Sequence, residues 1–237
     1  MKEEFKLLNE WFTDVSSETV LTHFLQTYKG RIALASSYGA EDQVLTDMIV
    51  KIDPMVKIFT LDTGRLHEET YAVMDQTNKK YGIKVEVYCP LQSEVENLYQ
   101  MQGINGFRES VENRKMCCHV RKMEPLRRAL DGLDVWITGL RRAQSPTRET
   151  MQLIEWDEAN GLIKLNPLIE WSEEKVWDYI KIYKVPYNTL HTQGYPSIGC
   201  APCTRAVREG EDIRAGRWWW ENPEHKECGL HLKGEKQ

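Results

Sequence analysis

Two pairs of cysteines are the residues of this chain best suited to hold a metal. Cys117 and Cys118 are adjacent, whereas Cys200 and Cys203 are separated by two residues and lie far downstream. Four thiolates can complete either a closed zinc site or a [4Fe–4S] cluster. Neighbouring helical residues point about 100° apart, given roughly 3.6 residues per turn, so adjacent sulfurs suit the separate irons of a cluster. The spacing therefore favours iron and sulfur, with zinc or two buried unliganded pairs as the alternatives.

Length and composition limit the class of protein. A chain of 237 residues with 41% hydrophobic and 28% charged side chains can bury one large α/β domain, with or without a smaller appendage. No apolar run is long enough to span a membrane, and the N-terminus lacks a basic and apolar signal segment. Six cysteines without an export signal are typical of metal or catalytic thiols in a reducing compartment. We therefore expect a cytoplasmic protein without membrane partners.

The charge is distributed unevenly along the chain. The net charge of −5 argues against a nucleic-acid partner, yet residues 108–148 contain ten Lys or Arg against five Asp or Glu. A basic middle in an acidic protein favours a small anionic ligand, with a solvated basic helix as the alternative.

Hydrophobic periodicity predicts alternating strands and helices. Residues 4–12 and 17–28 are predicted to be helical, the second with Ser17 as its cap. Alternation of this kind is typical of the α/β class with a doubly wound, mostly parallel sheet, which binds ligands at the carboxyl ends of its strands. Pro125 is expected to kink or interrupt a helix over 117–130. The further predicted strands are 31–36, 56–62, 84–89, 134–140, 151–156 and 162–165, and the further helices are 42–51, 67–81, 93–101, 117–130 and 172–183.

Three strand-exit loops, at 36–42, 62–66 and 140–148, would share one edge of such a sheet. The first places small residues between a strand and a helix, so backbone N–H groups at the helix N-terminus could cradle a phosphate. It has neither the Gly-Lys-Ser/Thr of a Walker loop nor Gly-x-Gly-x-x-Gly, and an ordinary strand–helix turn explains it equally well. The third loop carries three arginines, which make it the best candidate for binding an oxyanion.

Cys228 stands apart from the other thiols, nine residues from the end of the chain in a polar segment of weak periodicity. A free thiol there is either incidental or a nucleophile delivered by the terminal segment. Nearby cations stabilise a thiolate, and His231, Arg214 or Arg217 could lower the pKa of Cys228 in this way. Local chemistry alone leaves both interpretations open.

Three blocks of residues together resemble one enzyme family. They are Cys117-Cys118 with Lys122, Cys200-x-x-Cys203, and the terminal Glu227-Cys228-Gly229-Leu230-His231. Their combination resembles the assimilatory adenylyl-sulfate (APS) reductases, close relatives of the phosphoadenylyl-sulfate (PAPS) reductases, over residues 30–231. The resemblance implies a Rossmann-like fold of the adenine-nucleotide α-hydrolase type with an irregular C-terminal tail. PAPS reductases without a cluster keep the terminal cysteine but lose the other four, so this pattern favours APS, although some cluster-bearing members accept both.

The resemblance also implies a role for each matching residue. Both cysteine pairs would hold one [4Fe–4S] cluster, Cys228 would be the catalytic nucleophile, and Lys122 and His231 would act beside it. The implied substrate-binding residues are Ser36, Ser37, Gly39, Glu41 and Asp42 of a modified phosphate loop, Leu61, Thr63, Gly64 and Arg65 of a second nucleotide loop, Arg141, Arg142 and Arg148 of an arginine loop, and Arg214 and Arg217 near the sulfate–phosphate end.

The implied reaction is the reduction of APS to sulfite and AMP through an S-sulfocysteine on Cys228, in sulfate assimilation. A thioredoxin or glutaredoxin would donate the electrons, and we expect a homo-oligomer. The expected organisation is one domain, with N-terminal helices over 1–29, an α/β core over 30–205 and a mobile segment over 206–237 that carries Cys228. The alternatives are a PAPS reductase of the same mechanism, an ATP-dependent adenylylating or thiolating enzyme of the same fold, and a zinc-stabilised binding module.

Overall fold

The computed structural model of the protein describes residues 2–145 and 148–222, with side chains from residue 5 onward. Strands and helices alternate through this part of the chain, as the hydrophobic periodicity predicts. The strands are β1 (Ile32–Ala35), β2 (Lys57–Leu61), β3 (Glu86–Tyr88), β4 (Val135–Ile137), β5 (Ile154–Asp157) and β6 (Leu162–Leu165). The helices are α1 (Lys2–Trp11), α2 (Ser17–Thr27), α3 (Ala40–Ile52), α4 (Glu68–Tyr81), α5 (Gln92–Gln102), α6 (Val111–Cys118), α7 (Glu124–Leu130) and α8 (Glu173–Tyr183).

The strands form a sheet in the order β3-β2-β1-β4-β6-β5. β1 pairs in parallel with both β2 and β4, and β4 pairs in parallel with β6. β5 is antiparallel to β6 and closes one edge. The predicted α/β class with a mostly parallel sheet is therefore confirmed. The strand order reverses between β1 and β4, which is the point where sheets of this kind bind their ligands.

The central strands are buried on both faces, as parallel strands between two layers of helices must be. All three residues of β4 and the first three of β1 are buried. In α2 an apolar stripe, formed by Val20, Leu21, Phe24 and Leu25, joins the same core and is at most 2% exposed. Burying each such side chain stabilises the fold by about 1.5–3 kcal/mol.

The predicted cap of α2 is wrong by one residue. Ser16 is the N-cap, and its Oγ accepts a hydrogen bond from the Thr19 N–H at 3.2 Å. Ser17 is buried instead: its Oγ donates to the Pro167 carbonyl at 2.7 Å and accepts from Trp171 Nε1 at 2.9 Å. Two adjacent serines have the same capping chemistry, so the long-range contacts of Ser17 decide between them.

The helix that carries the first cysteine pair begins earlier than predicted and contains a π turn. Ser110 accepts a hydrogen bond from the Asn113 N–H at 3.0 Å, so this cap starts the helix at Val111 rather than at residue 117. α6 continues directly into a π turn (His119–Met123) and then into α7. In a regular α-helix the ring of Pro125 would collide with the carbonyl four residues before it. We attribute the wider turn to this proline, and such turns are frequent at functional sites.

The chain is divided into two compact units. The sheet unit comprises residues up to Phe59, Val73–Glu86 and Gly132–Asn188, and the thiol unit comprises Thr60–Ala72, Val87–Asp131 and the residues from Thr189 onward. The single-domain organisation and the boundaries at residues 29 and 205 stay predictions. No helix in the described part of the chain combines the length and apolar character that crossing a membrane requires.

Candidate functional site

In the sheet unit, the predicted phosphate loop between β1 and α3 is held in shape by its own polar groups. Asp42 Oδ2 accepts hydrogen bonds from both the N–H and the hydroxyl of Ser37, each at 2.6 Å. Ser36 is buried, and its N–H donates to the Phe59 carbonyl at 2.8 Å. Gly39 is the N-cap of α3. The loop is therefore preorganised at a helix N-terminus, where aligned backbone dipoles favour an anion.

Tyr38 shapes this loop from the core side. It adopts a left-handed φ of +60°, and its N–H donates to Ser36 Oγ at 3.2 Å. Its side chain is 2% exposed and packs in the hydrophobic core, where burial raises the pKa of the phenol well above its usual value. The ring therefore faces the core rather than a ligand.

The carboxyl of Asp42 has a pKa raised to about 6. Burial is the largest cause, and the charge of Glu41 adds to it, while hydrogen bonds from Ser37 and the Gly139 backbone oppose it. The folded protein therefore binds this proton more tightly than the unfolded chain does. The resulting stabilisation is fully present below the unfolded pKa of 3.8 and is lost as the pH rises through about 6.

Asp42 should therefore make the protein less stable as the pH rises. Protonated Asp42 contributes about 3 kcal/mol to the free energy of unfolding at low pH. Of this, about 1.4 kcal/mol is lost between pH 5 and pH 7.5. Urea denaturation at several pH values, compared with an Asp42→Asn variant that cannot titrate there, isolates this group. The free energy of unfolding of the wild type should fall relative to that of the variant across this range. A difference that stays constant with pH would contradict the assignment.

The predicted arginine loop after β4 is bound to the phosphate loop. Glu41 accepts hydrogen bonds from Arg141 Nε at 2.7 Å and from Gln144 Nε2 at 2.9 Å. Arg141 is 5% exposed and also donates to the Trp171 carbonyl at 3.3 Å. Arg148 donates to Gln144 Oε1. These contacts fix the two loops against each other on either side of the strand-order reversal.

Arg142 has partners outside this network. Its guanidinium pairs with the Glu170 carboxylate and donates to the Met151 carbonyl at 2.8 Å. Two further members of the arginine loop, Pro146 and Thr147, lie outside the described residues. The structure thus brings Arg141 and Arg148 together with the phosphate loop and gives Arg142 other contacts.

In the thiol unit, both cysteine pairs line one cavity. Its empty volume is about 390 Å³, part of which is open to solvent. Cys117 and Cys118 are the last residues of α6, and a short 3₁₀ turn joins Cys200 to Cys203. The Cys203 N–H donates to the Cys200 carbonyl at 2.9 Å and closes this turn. The other lining residues are Arg65, Phe107, Arg114, Arg121, Lys122, Pro202, Arg217 and Trp218.

The thiols of the two pairs interact with one another. The pKa of the Cys203 thiol is raised to about 12, chiefly by burial and additionally by the neighbouring Cys200 and Cys118. Lys122 and Arg217 act in the opposite direction. All five of these side chains line the cavity, so thiols of both pairs and two cations lie close together there.

The second predicted nucleotide loop reaches this cavity through Thr63. Thr63 is 1% exposed, and its Oγ1 lies 3.3 Å from Cys200 Sγ. Its carbonyl accepts a hydrogen bond from Arg121 Nη1 at 2.6 Å. Burial raises the pKa of Cys117, and the charge and hydrogen bond of Arg121 oppose that rise. Arg65 lines the same cavity.

The remaining predicted site residues fall at several places. Leu61 is the last residue of β2, and Gly64 takes a left-handed φ of +68°. Arg214 is half-buried, and its N–H donates to Asp212 Oδ1 at 2.7 Å. The predicted nucleophile Cys228 and its partner His231 lie outside the described residues.

The sequence did not predict five of the residues that line the cavity: Phe107, Arg114, Arg121, Pro202 and Trp218. The two arginines lie three or four residues from a cysteine along one continuous helix. That spacing places side chains on one helix face, so it is the signal that could have identified them. No comparable local signal distinguishes the buried Trp218 from its two tryptophan neighbours.

The donor set fits an iron–sulfur cluster. Such clusters are held by cysteine thiolates, and five cationic residues line the cavity and can offset the negative charge of four thiolates. Within residues 2–145 and 148–222, no group of three or more His, Cys, Asp or Glu side chains is arranged to hold a metal ion. A cluster binds one sulfur at each iron and does not need four sulfurs to converge on one atom. The cluster itself stays a prediction.

Comparisons with known proteins assign the chain to a family. The phosphoadenosine phosphosulfate reductase domain matches residues 31–206, well over half of the chain. A protein of Allochromatium vinosum named adenosine 5'-phosphosulfate reductase is 56% identical over 202 residues, which cover 85% of this chain and 79% of the relative. The chain belongs to the phosphoadenosine phosphosulfate reductase family. Another reductase of the same name, from Neisseria meningitidis serogroup B, is 46% identical over 225 residues, which cover 90% of this chain and 92% of the relative.

Solved structures agree with membership of the phosphoadenosine phosphosulfate reductase family. The PAPS reductase of Candida auris, in complex with phosphate, has a TM-score of 0.75 and 29% identity and covers 87% of this chain and 98% of its own. The FMN adenylyltransferase of Candida glabrata has a TM-score of 0.55 at 14% identity, covering 89% of this chain and 75% of its own, which shows a shared fold alone. The predicted adenine-nucleotide α-hydrolase type of fold is thereby confirmed.

Proposed function

We propose that this protein reduces APS to sulfite and AMP with electrons from a thioredoxin-type dithiol. The proposal rests on one observation: both cysteine pairs, Lys122 and Arg217 line the same cavity. The proposal is also supported by the 56% sequence identity of this chain to a protein named adenosine 5'-phosphosulfate reductase. Four thiols among cations suit chemistry on a small, strongly anionic sulfur compound.

The first step is nucleophilic attack by the Cys228 thiolate on the sulfur of APS. A new S–S bond forms, the bond from sulfur to the bridging phosphate oxygen breaks, and AMP leaves with the bonding electron pair. The product on the enzyme is an S-sulfocysteine, Cys–S–SO₃⁻. A thiolate is required because the neutral thiol is a poor nucleophile, and we assign His231 to stabilise it.

The second step is thiol–disulfide exchange. A reduced dithiol of the thioredoxin or glutaredoxin class attacks the sulfur of Cys228, and sulfite leaves with the electron pair of the S–S bond. The second thiol of the donor then resolves the mixed disulfide and frees Cys228. The dithiol supplies both electrons, so the balance requires no redox change elsewhere in the protein. The predicted homo-oligomer stays a prediction.

Cationic residues of the thiol unit are assigned to the sulfonate end of the substrate. Lys122 is half-buried in the π turn and lies close enough to Cys203 to lower the pKa of that thiol. Arg217 is 7% exposed, lines the same cavity and needs little reorganisation to present its charge. Preorganised cations stabilise charge that develops on an oxyanion. We assign Lys122, Arg217 and Arg214 to this task.

A [4Fe–4S] cluster, when bound to Cys117, Cys118, Cys200 and Cys203, would supply a fixed negative charge and a rigid frame beside Lys122. The protein's own contribution is the orientation of the surrounding groups. The hydrogen bond from Arg121 to the Thr63 carbonyl and the contact of Thr63 with Cys200 hold the second nucleotide loop against the cysteines. Such supporting contacts orient ligands and tune a metal site.

The nucleotide part of the substrate is assigned to the loops that follow the strands. The phosphate loop is preorganised by the Ser37–Asp42 hydrogen bonds, and Arg141 and Arg148 are tied to it through Glu41 and Gln144. Leu61, Gly64 and Arg65 of the second loop are assigned to the adenine and ribose.

The preference for APS over PAPS rests on the four cluster-type cysteines and on the names of the similar reductases.

Turnover of anaerobically purified protein tests this function. The protein is supplied with APS or, separately, with PAPS, together with reduced thioredoxin, and sulfite is measured. Sulfite from APS with little from PAPS is the expected result. Preference for PAPS would keep the mechanism and change the substrate. Sulfite from neither, or ATP consumption with pyrophosphate release, would overturn the proposal.

A further inference from the structure

The segment 217–221, which precedes Cys228 in the sequence, is held next to the second cysteine pair. The Trp218 N–H donates to the Cys203 carbonyl at 3.1 Å, and the Trp218 side chain is 1% exposed. Trp218 adopts a φ of +42°, a left-handed conformation that is uncommon for a bulky residue. Thr204 and Arg217 form an antiparallel bridge next to it. Several independent contacts therefore hold the segment at this place.

Arg114 fixes the same segment to the first cysteine pair. Its Nε donates to Glu221 Oε1 at 2.9 Å and its Nη2 to Oε2 at 2.8 Å. The two side chains are only 2% and 4% exposed. The same guanidinium lies 4.7 Å from the centre of the Trp218 ring and hydrogen-bonds to Cys118. One buried arginine thus contacts a predicted cluster ligand and two residues of the segment that leads to Cys228.

The distance along the chain from this anchor to the nucleophile is short. Cys228 is seven positions after Glu221 in the sequence. A fully extended chain of seven residues spans at most roughly 25 Å. The position of Glu221 therefore sets the region within which the Cys228 thiol can react. A shift of the anchor displaces that whole region by the same amount.

We propose that Arg114 and Glu221 are positioning residues for the Cys228 thiol, an inference that rests on the proposed function. Arg114 joins the helix of the first cysteine pair to the start of the terminal segment. A buried ion pair is a poor device for stability alone, since apolar residues of similar volume often stabilise a fold as well or better. Two parallel hydrogen bonds from a planar guanidinium instead impose one geometry.

The test uses the full-length chain, purified anaerobically, with a Glu221→Gln substitution. The matched control is Glu211→Gln. Glu211 forms an equally bidentate pair with Arg205, at 2.8 and 3.0 Å, but that pair is about one-third exposed and neither residue lines the cavity. Arg114→Lys is the second variant, because it keeps the charge and loses the planar fork. Melting temperature and iron content verify the fold and the metal in each protein.

Two readouts separate positioning from general stability. The first is the rate at which iodoacetamide alkylates Cys228 without substrate, followed by mass spectrometry. The second is the single-turnover rate of S-sulfocysteine formation from APS, with the Kd for APS measured separately. Glu221→Gln should change the alkylation rate and slow adduct formation by about 10- to 100-fold, as a misplaced reacting group does. The Kd should stay within about twofold, and the control should match the wild type.

Folded Glu221→Gln or Arg114→Lys protein with wild-type alkylation and adduct rates would overturn the inference. Equal losses in the Glu211→Gln control would overturn it as well, because they would show a general effect of removing an ion pair. If wild-type protein forms no adduct with APS or PAPS, the proposed function fails. The alkylation rates then still decide whether the Arg114–Glu221 pair positions Cys228.

Discussion

Replacing Cys228 with serine should abolish sulfite release while APS still binds. The serine hydroxyl is not ionised near neutral pH and is a far weaker nucleophile than a thiolate. Even a serine that attacked would form an O–SO₃⁻ ester, which has no S–S bond for a dithiol to cleave. Loss of a catalytic nucleophile costs roughly 10³-fold or more. Sulfite release by the variant, measured with reduced thioredoxin, should therefore fall to background.

Cys89→Ser is the matched control for this experiment. Cys89 is an exposed free thiol at the carboxyl end of β3, and it does not line the thiol cavity. Its variant should release sulfite at the wild-type rate. The Kd for APS, measured by equilibrium dialysis, should be unchanged in both variants. Sulfite formation by Cys228→Ser at the wild-type rate would end the assignment of Cys228 as nucleophile.

The strands and most helices could be predicted because the information for them is local. Short apolar runs within 31–36 and 134–140 become the buried strands β1 and β4, and the loops that follow these strands contact each other through Glu41 and Arg141. The carboxyl ends of neighbouring parallel strands lie at the same edge of the sheet. The order of strands and loops along the sequence is therefore enough to predict that these loops meet.

The supporting contacts of the thiol unit could not be predicted because they join distant positions. Arg114 and Glu221 are 107 positions apart, and Arg121 and Thr63 are 58 apart. The spacing of Arg114 and Arg121 from the cysteines indicates the helix face on which they lie, but nothing local indicates their distant partners Glu221 and Thr63. The π turn was missed for another reason: Pro125 indicated a disturbed helix, but whether the backbone kinks or widens depends on what packs around it.

Replacing Cys203 with serine should remove the iron from the protein. A [4Fe–4S] cluster requires four thiolate ligands, and Cys203 lies among the groups that the cavity brings together, namely Cys118, Cys200, Lys122 and Arg217. A serine hydroxyl keeps the size of the side chain but does not supply a thiolate. Iron should fall from about four per chain towards none, and the visible absorbance of the anaerobic protein should disappear with it.

The same substitution should lower the thermal stability of the protein. The free energy of metal binding is also free energy of folding when the unfolded chain lacks the site. In the variant the three remaining thiols, Cys117, Cys118 and Cys200, bind no metal. The cations that line the same cavity then lose the negative charge of the cluster, which offsets their mutual repulsion. Iron, labile sulfide, zinc and melting temperature are measured on wild type, Cys203→Ser and the Cys89→Ser control. Full iron in Cys203→Ser would remove Cys203 from the ligand set, and one zinc without sulfide in the wild type would replace the cluster with a zinc site.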